Sequence, residues 1–156
     1  MNKNTIFSDC RQYRYTLWRE WIGGNGYAVF VGLNPSTADE VNNDPTVRRC
    51  INFSKEWGFS GMFMMNIFAF RATDPEVMKA HPEPIGCDND HHLLEVAKDA
   101  GVVIAAWGVH GVHLRRNEAV INLLGDKLHC LKLTKQGHPA HPLYLPKTLQ
   151  PVRLKY

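Results

Sequence analysis

The sequence predicts an α/β fold in which a central, mainly parallel four-stranded sheet lies between two helical layers. Three observations carry that expectation. Four short apolar runs of strand length recur along the chain, helical periodicities lie between them, and the order alternates strand and helix from residue 27 onward. Such alternation favours parallel pairing through right-handed crossovers, with helices on both faces.

Residues 13–21, YRYTLWREW, alternate in part and are expected as an edge strand or one arm of a short hairpin. Gly23-Gly24-Asn25-Gly26 then marks a turn. It is not a phosphate loop, because no lysine and Ser/Thr follow where one requires them. The first core strand is expected over 27–33, YAVFVGL. Asp44-Pro45 is a helix start signal, and the helix expected over 46–57 sets Val47, Cys50, Ile51 and Trp57 near one face. The second strand follows at 61–68, GMFMMNIF. The next helix, 89–100, places Leu93, Val96, Ala97 and Ala100 on one stripe, with Asp88 or Asn89 as its cap. The third strand, 102–107, reads VVIAAW. A helix over 112–124 stops at Gly125, and the fourth strand, LHCLKL, occupies 128–133. The first three strands are apolar almost throughout, as strands covered on both faces are.

With 156 residues and 44% hydrophobic composition, the chain is expected to form one domain over 1–156. No stretch approaches ~18 uninterrupted apolar residues, and the N-terminus MNKNTIFSDCRQYRY is too polar for a signal peptide. A cytoplasmic monomer without membrane association is the expectation. Cys10, Cys50, Cys87 and Cys130 form no CxxC pair and read as reduced, mostly buried thiols. The histidine pairs 110/113, 138/141 and 91/92 lack a third ligand and a placed glutamate, so neither metal nor cofactor is expected. The net charge is only +3, yet residues 127–156 hold six Lys/Arg and no Asp or Glu. That segment reads either as a solvated tail or as a phosphate-binding surface. Arg115-Arg116 reads as solvated.

Ligands of an open α/β sheet sit beyond the carboxyl ends of its strands. There this sequence places its unusual polar residues: Asn34, Asn66, Gly108 with His110, and His138 with His141. Gly32-Leu33-Asn34-Pro35-Ser36 resembles the water-activating loop of the uracil-DNA glycosylase superfamily. That loop reads G-Q-D-P-Y in one branch and G-[IM]-N-P-G in the mismatch-specific and single-strand-selective branches. Residues 62–72, MFMMNIFAFRA, are similar to the strand that ends in the base-reading asparagine. Residues 103–108, VIAAWG, resemble the third strand, and 140–144, AHPLY, resemble the A-H-P-S-P-L loop. The resemblance covers residues 27–145.

It implies a uracil-DNA glycosylase-like fold and hydrolysis of the N-glycosidic bond of a damaged or modified pyrimidine, by a base-flipping enzyme. Asn34 then orients water, Asn66 reads the base edge, and His141 stabilises the departing base. Asn34 lends no negative charge to the sugar cation, and Asp39, Asp44 and Asp88 are candidates for the missing carboxylate. Ser36 stands where the uracil-specific branch has a tyrosine that excludes C5 substituents. Phe53 is the candidate stacking ring, Leu143 and Tyr144 the wedge, and Lys132, Lys135 and Lys147 the phosphate contacts. The implied partner is DNA, single- or double-stranded, or a free nucleobase or nucleotide. Plainer roles stand beside these: a turn residue for Asn34, a buried amide for Asn66, a core ring for Phe53, solvated lysines. The alternative functions are a non-catalytic modified-base or nucleotide-binding protein, and an enzyme of modified-nucleoside metabolism.

Overall fold

The computed structural model of the chain describes residues 1–155. Seven strands among them form one sheet: β1 (Asn2–Phe7), β2 (Arg14–Glu20), β3 (Tyr27–Gly32), β4 (Gly61–Asn66), β5 (Val102–Ala105), β6 (Leu128–Cys130) and β7 (Val152–Arg153). Their spatial order is β1-β2-β4-β3-β5-β6-β7. β3 pairs in parallel with β4 and β5, and β5 with β6. β1 with β2, β2 with β4, and β6 with β7 are antiparallel.

The expected four-stranded, mainly parallel sheet is therefore overturned by a seven-stranded mixed one. The reason lies in the N-terminal hairpin. β2 runs antiparallel along β4, with Leu17 opposite Met64, so the 13–21 segment is an interior hairpin arm and not an edge. Its partner β1 reads NKNTIF and is exposed at most positions, so it has no apolar run to announce it.

Four α-helices complete the layers: α1 (Pro45–Glu56), α2 (Pro75–Ala80), α3 (Asn89–Lys98) and α4 (Arg116–Leu124). α1 starts at Asp44, whose carboxylate accepts the Val47 N–H at 2.8 Å, with Pro45 in the first turn. Successive strand side chains point to opposite faces, so β3 serves two cores. Ala28 and Phe30 pack with Val47, Cys50 and Phe53 of α1. Val29 and Val31 pack with Leu93 and Ala97 of α3 and Val120 and Leu124 of α4. Each such Val, Leu or Phe side chain, fully buried, contributes about 1.5–3 kcal/mol.

The helix expected over 112–124 is interrupted. Residues Val109–Arg115 form a 3-10 segment in which Leu114 and Arg115 both have φ of 54°, and α4 begins only at Arg116. This break turns Arg116 inward. Its residue is buried, its Nε donates to the Ile67 carbonyl at 2.7 Å, and it pairs with Asp90. Only Arg115 is solvated as expected, paired with exposed Glu118. Of the cysteines, all free, Cys50 and Cys130 are buried whereas Cys10 and Cys87 are exposed. No helix among the described residues is long and apolar enough to cross a membrane.

Candidate functional site

The site is built where β3 and β4 end side by side, with Gly32 opposite Asn66. Asn66 is 2% exposed, and its Nδ2 has no hydrogen-bond partner among the described residues. The backbone behind it is fixed from below. Asn89 donates through Nδ2 to the carbonyls of Asn66 at 2.9 Å and Ile67 at 3.2 Å, and Arg116 donates to the latter too. Asn89 is thus a buried clamp and not the cap of α3. Gly32 is required by proximity: a Cβ there would lie 2.9 Å from Asn66 Oδ1 and 2.8 Å from Met64 Cε.

Beyond Gly32 the chain is zipped to the segment after β4. Phe68 N–H donates to the Leu33 carbonyl, and Ala72 N–H to that of Pro35. Asn34 closes the zipper by donating from Nδ2 to the Ala72 carbonyl at 2.8 Å. A carboxylate could not make that bond, which gives a structural reason for the amide. It leaves Oδ1 as the acceptor Asn34 can offer a water.

His141 precedes a short 3-10 turn, Pro142–Tyr144, and caps it: Nδ1 accepts the Leu143 N–H at 3.2 Å. In the neutral ring this puts the proton on Nε2. Burial lowers the His141 pKa below its ordinary value, against an opposing pull from Asp44. The neutral ring with an Nε2–H donor is therefore favoured near pH 7.

These elements enclose a cleft of about 470 Å³, lined by Asn34, Ser36, Asn66, His141 and Leu143. Arg14, which sequence reasoning did not assign to it, lines the same cleft, and so does the candidate carboxylate Asp44. Of the three candidate carboxylates, Asp44 alone faces it. Asp39 is folded into its own loop, accepting the Val41 and Asn42 N–H groups. Arg14, 3% exposed, donates from Nη1 to the Ala38 carbonyl at 3.0 Å, while its Nε has no partner. Burial draws its pKa down to about 10, with Asp44 the largest opposing influence, so it stays charged at neutral pH.

Every residue named as lining this cleft falls between positions 14 and 143, and that span matches the family model described as "Protein of unknown function (DUF1643)". The chain belongs to the DUF1643 family. No curated protein and no solved structure gave a significant match.

The DUF1643 span begins with Arg14 itself and omits β1, Tyr144 and Lys147. The structure separates other expected site residues from the cleft. Phe53 does not line it. Its ring is buried in the α1 core, with ring centroids 6.5 Å from Phe30 and 5.4 Å from Trp57. Helical spacing could not distinguish that core position from a stacking wall. Tyr144 is 91% exposed just outside the cleft. Lys132 and Lys135 are exposed in the turn after β6, and exposed Lys147 borders a separate pocket beside Arg49 and Phe53. Among the described residues no three His, Cys, Asp or Glu side chains group as a metal site.

Proposed function

We propose that this DUF1643 chain holds a pyrimidine base in the cleft and acts as a DNA glycosylase-like hydrolase of its N-glycosidic bond, on a damaged or modified base. The observation that carries the reading is Asn66. A buried amide donor without a partner costs about 1–3 kcal/mol, and the residue that carries this one lines an open cleft. One planar amide offering both a donor and an acceptor matches the edge of a pyrimidine.

The chemistry then divides among the lining residues. A water held by Asn34 Oδ1 adds to C1′ of the sugar. The base leaves with the bonding electron pair, and His141 Nε2–H donates to the carbonyl oxygen on which that charge gathers. Asp44 supplies the negative charge that Asn34 lacks: it offsets the sugar cation and takes the proton of the attacking water. The leaving base is protonated from solvent. In this reading the protein works in the cytoplasm with its thiols reduced.

A second reading, binding of a modified base without cleavage, is favoured by one observation: the Asn34 amide is engaged by the Ala72 carbonyl. Oligonucleotides carrying uracil, thymine or 5-hydroxymethyluracil, incubated with the protein and treated with alkali, separate the two. Strand scission at the modified position is the expected result. Binding without scission selects the second reading, and neither outcome on any base removes the pyrimidine assignment.

A further inference from the structure

β2 carries two buried arginines that reach toward the same loop, and they differ in one respect. Arg19, fully buried, makes five hydrogen bonds: to Asn43 Oδ1 and to the carbonyls of Asn4, Trp18, Asp39 and Asn42. Arg14, just as buried, makes one, to Ala38, and forms no ion pair among the described residues. A guanidinium has five N–H donors, and a buried charge short of acceptors is costly. Arg19 finds its acceptors within the protein and lies outside the cleft. Arg14 lines the cleft, and its Nε is unbonded among the described residues.

A second donor belongs to an element that lines the same space. Pro45, Thr46 and Val47, the first turn of the twelve-residue helix α1, line the cleft. Pro45 has no N–H and the Val47 N–H is held by Asp44, so Thr46 is left as the first-turn donor, at the positive end of the helix.

We infer that Arg14, with the Thr46 N–H, forms an anion-holding pole of the cleft, and that its ligand is a singly charged phosphodiester attached to the base-bearing sugar. Asp44 sets the charge. Asp44 lines the same cleft, so a doubly charged phosphomonoester would bring its second charge near this carboxylate, whereas a diester matches Arg14 alone. The surroundings also suit a strand. The cleft shares Ser36, Thr37, Ala72 and Thr73 with a shallower groove of about 650 Å³ that carries Arg11 and Arg71. Further phosphates of a chain would meet those cations. The identity of the ligand's base rests on the function proposed above; the anion pole does not.

Calorimetric titration of the full chain with four probes tests the inference: thymidine, thymidine 5′-monophosphate, the dinucleotide thymidylyl-thymidine, and a phosphodiester of the same length carrying no bases. Charge-assisted hydrogen bonds of this kind are worth about 10- to 100-fold in affinity. The dinucleotide is expected to bind tighter than thymidine by that factor, and tighter than the monophosphate. Arg14→Gln should bring the dinucleotide to the level of thymidine while leaving thymidine unchanged. The wild-type series decides the matter even where that variant fails to fold. Equal binding of thymidine and dinucleotide overturns the anion pole and leaves the base reading intact. Arg14-dependent binding of the baseless diester, without binding of thymidine, supports the pole and removes the base. Tightest binding of the monophosphate overturns the singly charged ligand.

Discussion

Gly32 and Asn66 face each other across the β3–β4 ladder, close enough that one added methyl group on Gly32 would come within 2.9 Å of the Asn66 Oδ1. Gly32→Ala is therefore expected to displace the amide and cost about 1–3 kcal/mol through overpacking. Asn66→Leu, of similar size, should do the opposite to the empty protein, because it removes an unsatisfied buried donor. Denaturant melts and base titrations check both. Asn66→Leu should melt no earlier than wild type yet lose base affinity. A strongly destabilised variant would mean that the Asn66 amide serves the fold alone.

His141 makes the second prediction. Replacing it by alanine should slow base release about 10²–10³-fold, as loss of one oxyanion donor commonly does. His141→Asn is the sharper variant, since an asparagine oxygen can still cap the Leu143 N–H while the titrating ring is gone. The folded pKa of His141 lies below the ordinary 6.5, as does that of His92, also through burial. The unfolded chain then binds more protons than the folded one just below pH 6.5, so stability falls as pH drops through that window. His141→Asn should reduce this slope in pH-dependent melts. An unchanged slope would assign the dependence to other groups, His92 first.

Asp44 has two roles that one substitution can separate. Asn caps a helix as well as Asp does, whereas Ala loses about 1 kcal/mol. Asp44→Asn should keep the melting temperature and slow hydrolysis about 10²–10⁴-fold, while Asp44→Ala loses both. Full activity in Asp44→Asn would leave Asp44 as a cap only.

Ser36 lines the cleft and shares a 3.2 Å hydrogen bond with the Thr73 hydroxyl. A small residue there leaves room for a substituent at C5 of the base, so activity should extend to 5-substituted pyrimidines. Ser36→Tyr should suppress thymine, 5-hydroxymethyluracil and bulkier bases far more than uracil. Equal losses across such oligonucleotides would show that Ser36 does not border the C5 edge.

Asn34 is legible in the sequence because an apolar run stops there and polar residues begin, whereas Asn66, inside the apolar run 61–68, is legible through the resemblance of its segment to a base-reading strand. The Ala140–Leu143 loop is legible through its resemblance to the A-H-P-S-P-L loop. Arg14 is not, since an arginine within an alternating strand looks solvated until the Ala38 carbonyl is seen to accept from it. β1 itself, polar and largely exposed, holds to β2 through its backbone and leaves no hydrophobic signature. Phe53 misleads because a helix face turned to the core and one turned to a ligand share the same spacing. Asn89 misleads in its own way: an amide beside a helix start resembles a cap, and only the fold shows it clamping the Asn66 backbone.

The five hydrogen bonds of Arg19 have a dynamic consequence. They tie the carbonyls of Asp39 and Asn42 and the side chain of Asn43 to an interior strand, and within the same loop Asp39 holds the Val41 and Asn42 amides. A surface loop usually exchanges its amide hydrogens quickly, through local fluctuations. Here Val41 and Asn42 should exchange as slowly as β2, because freeing them means parting the guanidinium from its acceptors. The loop that leads into Asp44, a lining residue of the cleft, then behaves as an extension of the sheet.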